Sequence, residues 1–303
     1  MACRNSIISL VHVLLTIVFA GRVAIASTIS YEPFNLGAGA YALGGIGGQQ
    51  PPVTGYTGAW SFANTQGSAT GAIDTGQLSY ADGFGNDLPV AGGMVKISTL
   101  KTSVGHDGVG IATRGLDVPA FGPTFTSTGT QIDQGVLYMS FLSSAGSPVS
   151  LGNNSAIVNL LNGGAPVLQV VNQVNANCTI NGVPIAPPSN SSQAQLFVLK
   201  LEMGPGNDTA TVWVDPQLGL STEPTFLAGV NGGTLSGLNI AFNTLSLVGD
   251  RFVPFDLITK TGGGLFDEIR FGSDWASVTP VPEPSGILLA ALGALLAWQR
   301  QRP

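Results

Sequence analysis

Short apolar stretches of strand length, separated by glycine-rich polar turns, run through residues 27–280. Clear examples are 136–142, 166–171 and 237–243, and no apolar repeat of helical period interrupts them. Stretches of this length, bounded by turn formers and rich in β-branched residues, are typical of antiparallel strands. The pattern therefore predicts an all-β core.

The clearest predicted hairpin joins residues 196–203 to 209–214 through the connector 204–208, which reads Gly-Pro-Gly-Asn-Asp. Both arms are apolar and rich in β-branched residues, and the connector consists of turn formers. Because side chains alternate between the faces of a strand, Val212 and Trp213 are expected on opposite faces.

Composition favours many short strands over helices. The chain of 303 residues has 42 Gly and 19 Pro, and only 9% of its residues are charged. Such a composition is typical of sandwiches and barrels. We expect a two-sheet antiparallel sandwich of the jelly-roll type in one domain, residues 27–279, with loops at 37–52 and 184–192.

The charge of the core argues against nucleic acid as a partner. Residues 27–280 contain seven Lys and Arg and sixteen Asp and Glu, which makes this part about nine charges negative. Binding to a phosphate backbone needs a basic surface. We therefore exclude nucleic acid as the main partner.

The N-terminus has the layout of a secretory signal peptide, residues 1–26. Arg4 precedes an apolar run at 7–20, and the small-residue site Ala24-Ile25-Ala26 follows. This layout predicts an N-terminal signal helix with cleavage after Ala26. A retained anchor is the alternative, but the run is shorter than the roughly 20 residues that span a bilayer.

The C-terminus, residues 280–303, combines three elements. Pro282-Glu283-Pro284 precedes an apolar run at 286–298, and Arg300 and Arg302 follow. A plain transmembrane tail anchor is one interpretation. The layout resembles the PEP-CTERM sorting signal of Gram-negative bacteria. This resemblance implies a short hydrophobic helix, transient inner-membrane association, processing by an exosortase-type enzyme, and delivery to the cell surface or extracellular matrix.

Motifs in the core resemble a second family. Tyr31-Glu32-Pro33-Phe34 stands near the start, Gly55 to Trp60 and Gly76 to Tyr80 follow, and Leu265 to Gly272 comes near the end. Their order is similar to concanavalin A-like, laminin-G-like jelly rolls. The resemblance implies that the first and last strands are neighbours, with Phe266 and 269–271 in the closing strand. It also implies that Trp275 packs into the core just after that strand.

The sequence shows no recognised set of catalytic residues. Glycoside hydrolysis needs two carboxylates around one bond, and the E-x-D-x-x-E spacing common in jelly-roll glucanases does not occur. Asp267 and Glu268 are adjacent, so on a regular strand they point to opposite faces. We expect a structural role for them, with one orienting Arg270 or closing a turn. A carbohydrate-active enzyme with a non-standard site stays the alternative.

The scarcity of His and Cys argues against two further kinds of site, a serine-protease-type triad and a zinc site. His106 and Cys178 are the one His and the one Cys of residues 27–303, and no G-x-S-x-G motif accompanies them. A serine triad and an ordinary zinc site therefore lack their residues. The glycines at 44–48 lack the following Lys of a phosphate-binding loop.

No cofactor is expected, with one exception. The loop 82–87 offers clustered oxygens from Asp82, Asn86 and Asp87. Calcium binds such oxygens, and the alternative is an Asx-rich turn.

Glycan or another surface component is the expected partner. Sugar sites combine exposed aromatic rings with planar polar groups. The candidate aromatic residues are Tyr56, Trp60, Tyr80 and Trp213, although tryptophans in sandwiches usually belong to the core. The sequence thus predicts an exported, non-catalytic surface or matrix protein. A purely structural surface protein without a ligand is a further alternative.

Overall fold

A computed structural model describes residues 28–37, 39–100, 108–146, 153–187, 193–252 and 261–280. Both predicted terminal helices, the cleavage site at Ala24 and Ala26, the Pro282-Glu283-Pro284 motif and His106 lie outside the described residues. Among the residues that are described, no helix has the length and apolar character needed to cross a bilayer.

The described residues form sixteen strands and two single-turn helices. The strands are β1 (Thr28–Glu32), β2 (Gly44–Gly45), β3 (Tyr56–Gln66), β4 (Ser68–Asp74), β5 (Met94–Leu100), β6 (Val109–Leu116), β7 (Gly135–Ser144), β8 (Asn153–Asn162), β9 (Ala165–Gln173), β10 (Cys178–Ile180), β11 (Val183–Ala186), β12 (Gln195–Met203), β13 (Asp208–Val214), β14 (Gly232–Leu238), β15 (Thr244–Phe252) and β16 (Thr261–Gly272). The helices are α1 (Val118–Phe121) and α2 (Trp275–Val278).

These strands form two antiparallel sheets packed face to face, as expected. The first sheet has the order β14-β13-β12-β7-β16-β5-β4-β2, and β1 pairs with β16. The second sheet has the order β11-β10-β9-β8-β15-β6-β3. The main core between them is built from the inward-facing side chains of both sheets, among them Ile97, Phe141, Leu247 and Phe266.

The first and last strands are neighbours, which confirms the implied closure of the sandwich. β1 runs antiparallel to β16, with Tyr31 opposite Arg270 and Glu32 opposite Ile269. The predicted hairpin is also present, because β12 and β13 pair along their length. Trp275 is buried just after the closing strand, as the resemblance implied.

A second apolar cluster covers the outer face of the first sheet. Trp213 from β13 and Trp275 from α2 meet edge to face with ring centroids 5.2 Å apart. Tyr80, Leu88 and Leu218, from the segments that follow β4 and β13, belong to the same cluster. Trp213 and Val212 therefore lie on opposite faces of β13, in different cores.

The predicted strand at 237–243 is wrong beyond Leu238. β14 ends at Leu238, and the chain then turns between the two sheets before β15 begins at Thr244. The Asp208 carboxylate accepts the backbone N–H of Ile240. A buried segment that connects two sheets is as apolar as a strand, so its composition alone cannot distinguish the two.

Candidate functional site

A polar cleft lies beside the loop that follows β4. We call it the Gln77 cleft; its volume is about 630 Å³. Ligand clefts commonly have 300–1,000 Å³. The lining residues are Gln77, Leu78, Ser79, Tyr80, Ala81, Gly83, Gln193, Ala194 and Asp215.

Asp82 shapes the turn at the rim of this cleft. Its Oδ1 accepts the backbone N–H groups of Phe84 and Asn86, each at 2.9 Å. Its Oδ2 accepts the Asn86 side-chain amide and the backbone N–H of Leu218, again at 2.9 Å. Hydrogen bonds from four N–H groups favour the carboxylate form, and they lower the pKa of Asp82 although its burial acts in the opposite direction.

The turn presents an aromatic side chain to solvent. Phe84 is 72% exposed and follows Gly83, which lines the cleft. The turn is held both to itself and, through Leu218, to the segment after β13. An exposed aromatic ring on a hydrogen-bonded turn beside a polar cleft is a candidate ligand contact.

Asp215 supplies the acidic group of the Gln77 cleft. It follows β13 directly and has φ +50°, a left-handed conformation that is uncommon for a residue other than Gly. Its Oδ1 accepts the backbone N–H of Leu196 at 2.9 Å, and its Oδ2 accepts the Gln195 amide at 3.1 Å. These bonds fix an exposed carboxylate at the cleft wall.

Of the predicted calcium ligands, Asp82 is buried, and the side-chain amide of Asn86 donates a hydrogen bond to the Asp82 carboxylate. Asp87 is exposed and bridges to Ala81 through the backbone. No group of three or more His, Cys, Asp or Glu converges within the described parts of the chain. Calcium here stays a prediction, while the hydrogen bonds give Asp82 a structural function without an ion.

The predicted aromatic candidates are all buried. Trp60 and Tyr56 lie in the main core, and Tyr80 and Trp213 lie in the outer cluster. Tyr80 lines the Gln77 cleft, but its hydroxyl donates to the Pro216 carbonyl at 2.8 Å. None of the four presents an open ring face for stacking on a sugar. Phe84 was missed because the local signal, an aromatic residue between two glycines in a polar loop, is weak.

A buried ion pair lies beneath β1. The Arg114 Nη1 donates to Glu32 Oε2 at 2.8 Å and to the Tyr41 hydroxyl at 3.1 Å. The Trp60 indole N–H donates to the same hydroxyl at 2.7 Å. Burial raises the pKa of Glu32 to about 7, although Tyr41 and Arg114 act to lower it.

The Asp267-Glu268 pair forms a second buried network. Glu268 has φ +55° and lies in a β-bulge between β16 and β7, so the two residues do not alternate as they would on a regular strand. Its carboxylate pairs with Arg270 and accepts from the Tyr31 hydroxyl at 2.6 Å. The predicted interaction with Arg270 is therefore present.

Both carboxyl groups of this pair are inaccessible. Asp267 accepts the backbone N–H groups of Leu78 and Glu268, at 3.0 and 2.9 Å. Burial, together with the adjacent Glu268 charge, raises the pKa of Asp267 to about 8. Burial also raises the pKa of Glu268. Perturbed carboxyls can mark a catalytic site, but both side chains are buried and hydrogen-bonded within the protein.

A second, more apolar cleft lies over β1, and we call it the β1 cleft. Its volume is about 670 Å³. Tyr31 and Arg270 lie at its base, and proline residues from four segments form much of its wall. The Arg270 guanidinium lies 4.7 Å from the Tyr31 ring centroid in a cation–π contact.

The sequence matches no protein-family model and no curated protein. A solved structure of botulinum neurotoxin type C, described as needing interaction with two ganglioside molecules to enter cells, has a TM-score of 0.32 and 8% identity. The match covers 84% of this chain and 51% of the neurotoxin chain, so this chain spans about half its length. A likeness at this TM-score carries no argument about fold or function.

Proposed function

We propose that this is an exported, non-catalytic surface or matrix protein that binds glycan in the Gln77 cleft. The observation that carries the proposal is Phe84, 72% exposed on a hydrogen-bonded turn beside a cleft lined by Gln, Ser and Asp side chains. Protein sites for sugars combine an aromatic face with a few fixed polar groups.

The polar groups of the cleft suit hydroxyl recognition. Gln77 and Ser79 are exposed and can both donate and accept hydrogen bonds, while the fixed Asp215 carboxylate accepts them. An array of hydroxyl groups needs such a mixture of donors and acceptors.

The proposal of a non-catalytic site is supported by the number of carboxylates at the cleft. Asp215 is the one carboxylate among the described residues that line the Gln77 cleft. Hydrolysis of a glycosidic bond needs two carboxyl groups, one on each side of the bond.

Export is proposed from the two ends of the chain, which lie outside the described residues except for Pro280. Residues 1–26 have the layout of a secretory signal. Residues 280–303 resemble a PEP-CTERM sorting signal, and an exosortase-type enzyme is the partner implied by it.

The test is a glycan and exopolysaccharide array probed with the full-length chain in mild detergent. Phe84→Ala is expected to weaken binding about tenfold, since loss of an aromatic contact of about 1.4 kcal/mol corresponds to that factor. Leu227→Ala is the matched control, because Leu227 is 69% exposed and does not line this cleft.

The possible outcomes of this experiment distinguish between the alternative functions. Equal binding by Phe84→Ala and wild type would contradict the proposed site. No binding to any glycan would favour a purely structural protein, and turnover of a bound glycan would contradict the non-catalytic proposal. Binding that EDTA abolishes would support calcium at Asp82, Asn86 and Asp87.

A further inference from the structure

One side of the Gln77 cleft is formed by the segment 77–82, in which exposed and buried residues alternate. Gln77 and Ser79 are exposed, whereas Leu78 and Tyr80 are buried and belong to the outer cluster. Successive side chains of an extended segment point to opposite sides. The direction in which Gln77 and Ser79 point therefore depends on how firmly Leu78 is held.

A buried carboxyl group of the first sheet holds Leu78. Asp267 lies at the bulge of β16, its side chain is fully buried, and its Oδ2 accepts the backbone N–H of Leu78 at 3.0 Å. Its Oδ1 accepts the backbone N–H of Glu268 at 2.9 Å. Both carboxyl oxygens are thus engaged, and the bond from Leu78 joins two parts of the chain that are 189 residues apart.

The other hydrogen bonds of this segment do not reach a strand. The Tyr80 hydroxyl donates to the Pro216 carbonyl, and Asp82 accepts the backbone N–H of Leu218. Both partners lie in the segment after β13, which belongs to neither sheet. Within the described part of the chain, the bond to Asp267 is therefore the hydrogen bond that fixes the cleft segment to the sandwich.

We propose that Asp267 is a positioning residue of the Gln77 cleft: it holds Leu78, and thereby orients Gln77 and Ser79 toward a bound glycan. This inference rests on the proposed function, which assigns a glycan to the cleft. Asp267 is itself inaccessible and makes no contact with the ligand. Residues that contact a ligand keep their geometry when packing and hydrogen bonds behind them restrict their motion, and the bond from Leu78 to Asp267 supplies that restriction.

Asp267→Ala removes both acceptor oxygens and tests this role in the full-length chain in mild detergent. Two quantities are measured: amide hydrogen exchange in residues 77–80, which needs no ligand, and Kd for a glycan that is positive on the array. We expect exchange in this segment to become about tenfold faster and the glycan to bind about tenfold more weakly, because the buried N–H of Leu78 loses its acceptor.

Asp208→Ala is the matched control. Asp208 is also buried, and its two oxygens accept the backbone N–H groups of Gly204 and Ile240, neither of which lines the Gln77 cleft. Its loss is expected to accelerate exchange near Ile240 and to leave exchange in residues 77–80 and the glycan Kd within about twofold of wild type. A merely structural contribution of Asp267 would instead give the same result in both variants.

Asp267→Asn is a milder second variant. It keeps one acceptor oxygen for two N–H donors, since an amide nitrogen cannot accept. We expect it to lie between wild type and Asp267→Ala, with glycan binding about threefold weaker than wild type. If Asp267→Ala does not fold, this variant decides the question, and wild-type exchange and affinity in Asp267→Asn would contradict the proposal.

The two measurements also separate this inference from the glycan proposal. Wild-type exchange and affinity in Asp267→Ala, or equal effects of Asp267→Ala and Asp208→Ala, would overturn the positioning role alone. Faster exchange in residues 77–80 of Asp267→Ala, combined with no glycan binding by the wild type, would support the anchoring of the cleft segment by Asp267 and overturn the glycan proposal alone.

Discussion

Among single residues, Glu32 is one whose ionisation is closely tied to the fold. Its carboxyl group is buried beneath β1, and Arg114 is its charged partner at 2.8 Å. Removing water from a charged pair costs free energy that the attraction between the charges only partly returns. The Tyr41 and Trp60 hydrogen bonds around the pair make this a connected network, in which replacement of one member leaves the others unsatisfied.

This burial predicts that stability falls with rising pH. The pKa of Glu32 is about 7 in the folded state against 4.5 ordinarily, and that of Asp267 is about 8 against 3.8. Between these values the folded protein binds more protons than the unfolded chain, so the free energy of unfolding decreases as pH rises from about 4 to 8. Asp82, Asp133 and Glu223, whose pKa values are lowered, act in the opposite direction but below this window.

Urea unfolding at a series of pH values from 5 to 8.5 measures this dependence. Glu32→Gln is expected to reduce the slope, because the amide does not titrate, and Asp267→Asn is expected to do the same independently. A free energy of unfolding that rises across this range in the wild type would contradict the assignment of buried, proton-binding carboxyls.

Between elements, the two sheets approach closely at a pair of glycines in the second sheet. Gly249 in β15 pairs with Gly110 in β6, and both face Ile97 in β5 of the other sheet. A Cβ atom at Gly249 would lie 2.6 Å from Ile97 Cγ2 and 2.8 Å from its carbonyl oxygen. Because the backbone of β5 borders this space, an added methyl group forces the sheets apart.

Gly249→Ala is therefore expected to destabilise the domain by about 1–3 kcal/mol, the usual cost of overpacking. Gly204→Ala, in the connector between β12 and β13, is the matched control, since no atom lies within 4 Å of its added Cβ. That variant should change the unfolding free energy by less than about 0.5 kcal/mol. Chemical denaturation of both variants measures the difference in unfolding free energy. Equal values would mean that the sheets can move apart at Gly249 at little cost, which would contradict the prediction.

Elements differ in how far local sequence specifies them. The hairpin of β12 and β13 is predictable because its arms and its turn are contiguous, and β16 is expected from the resemblance of residues 265–272 to the closing strand of a jelly roll. The bulge at Glu268 is not predictable, because it depends on contacts with Tyr31 and Ala91, distant in sequence. The same holds for the Gln77 cleft, which joins residues near 80 to Asp215 only in the folded chain.

Over the whole molecule, two apolar cores share the first sheet. The main core lies between the sheets, and the outer cluster is covered by the segments after β4 and β13 and by α2. These covering segments also form the Gln77 cleft. The proposed binding site thus depends on the outer cluster for its shape.

Trp275→Ala tests this dependence. Loss of a buried tryptophan costs about 3–5 kcal/mol, and we expect amide hydrogen exchange to accelerate in residues 78–88 more than in the strands of the second sheet. Leu227→Ala, at an exposed position, should leave both quantities nearly unchanged. Uniform acceleration throughout the domain would show that the two cores unfold as one unit.

The pairing of β1 with β16 also sets how the domain responds to pulling. Thr28 lies opposite Gly272, so both ends of the sandwich leave from the same end of one antiparallel ladder. Tension between the N- and C-terminal sides would load these hydrogen bonds one after another, like a zipper, rather than all together in shear. A protein held by its C-terminal side alone carries no load through this ladder, whereas one stretched between two attachments would peel off β1 first and expose the Glu32 and Arg114 charges to water.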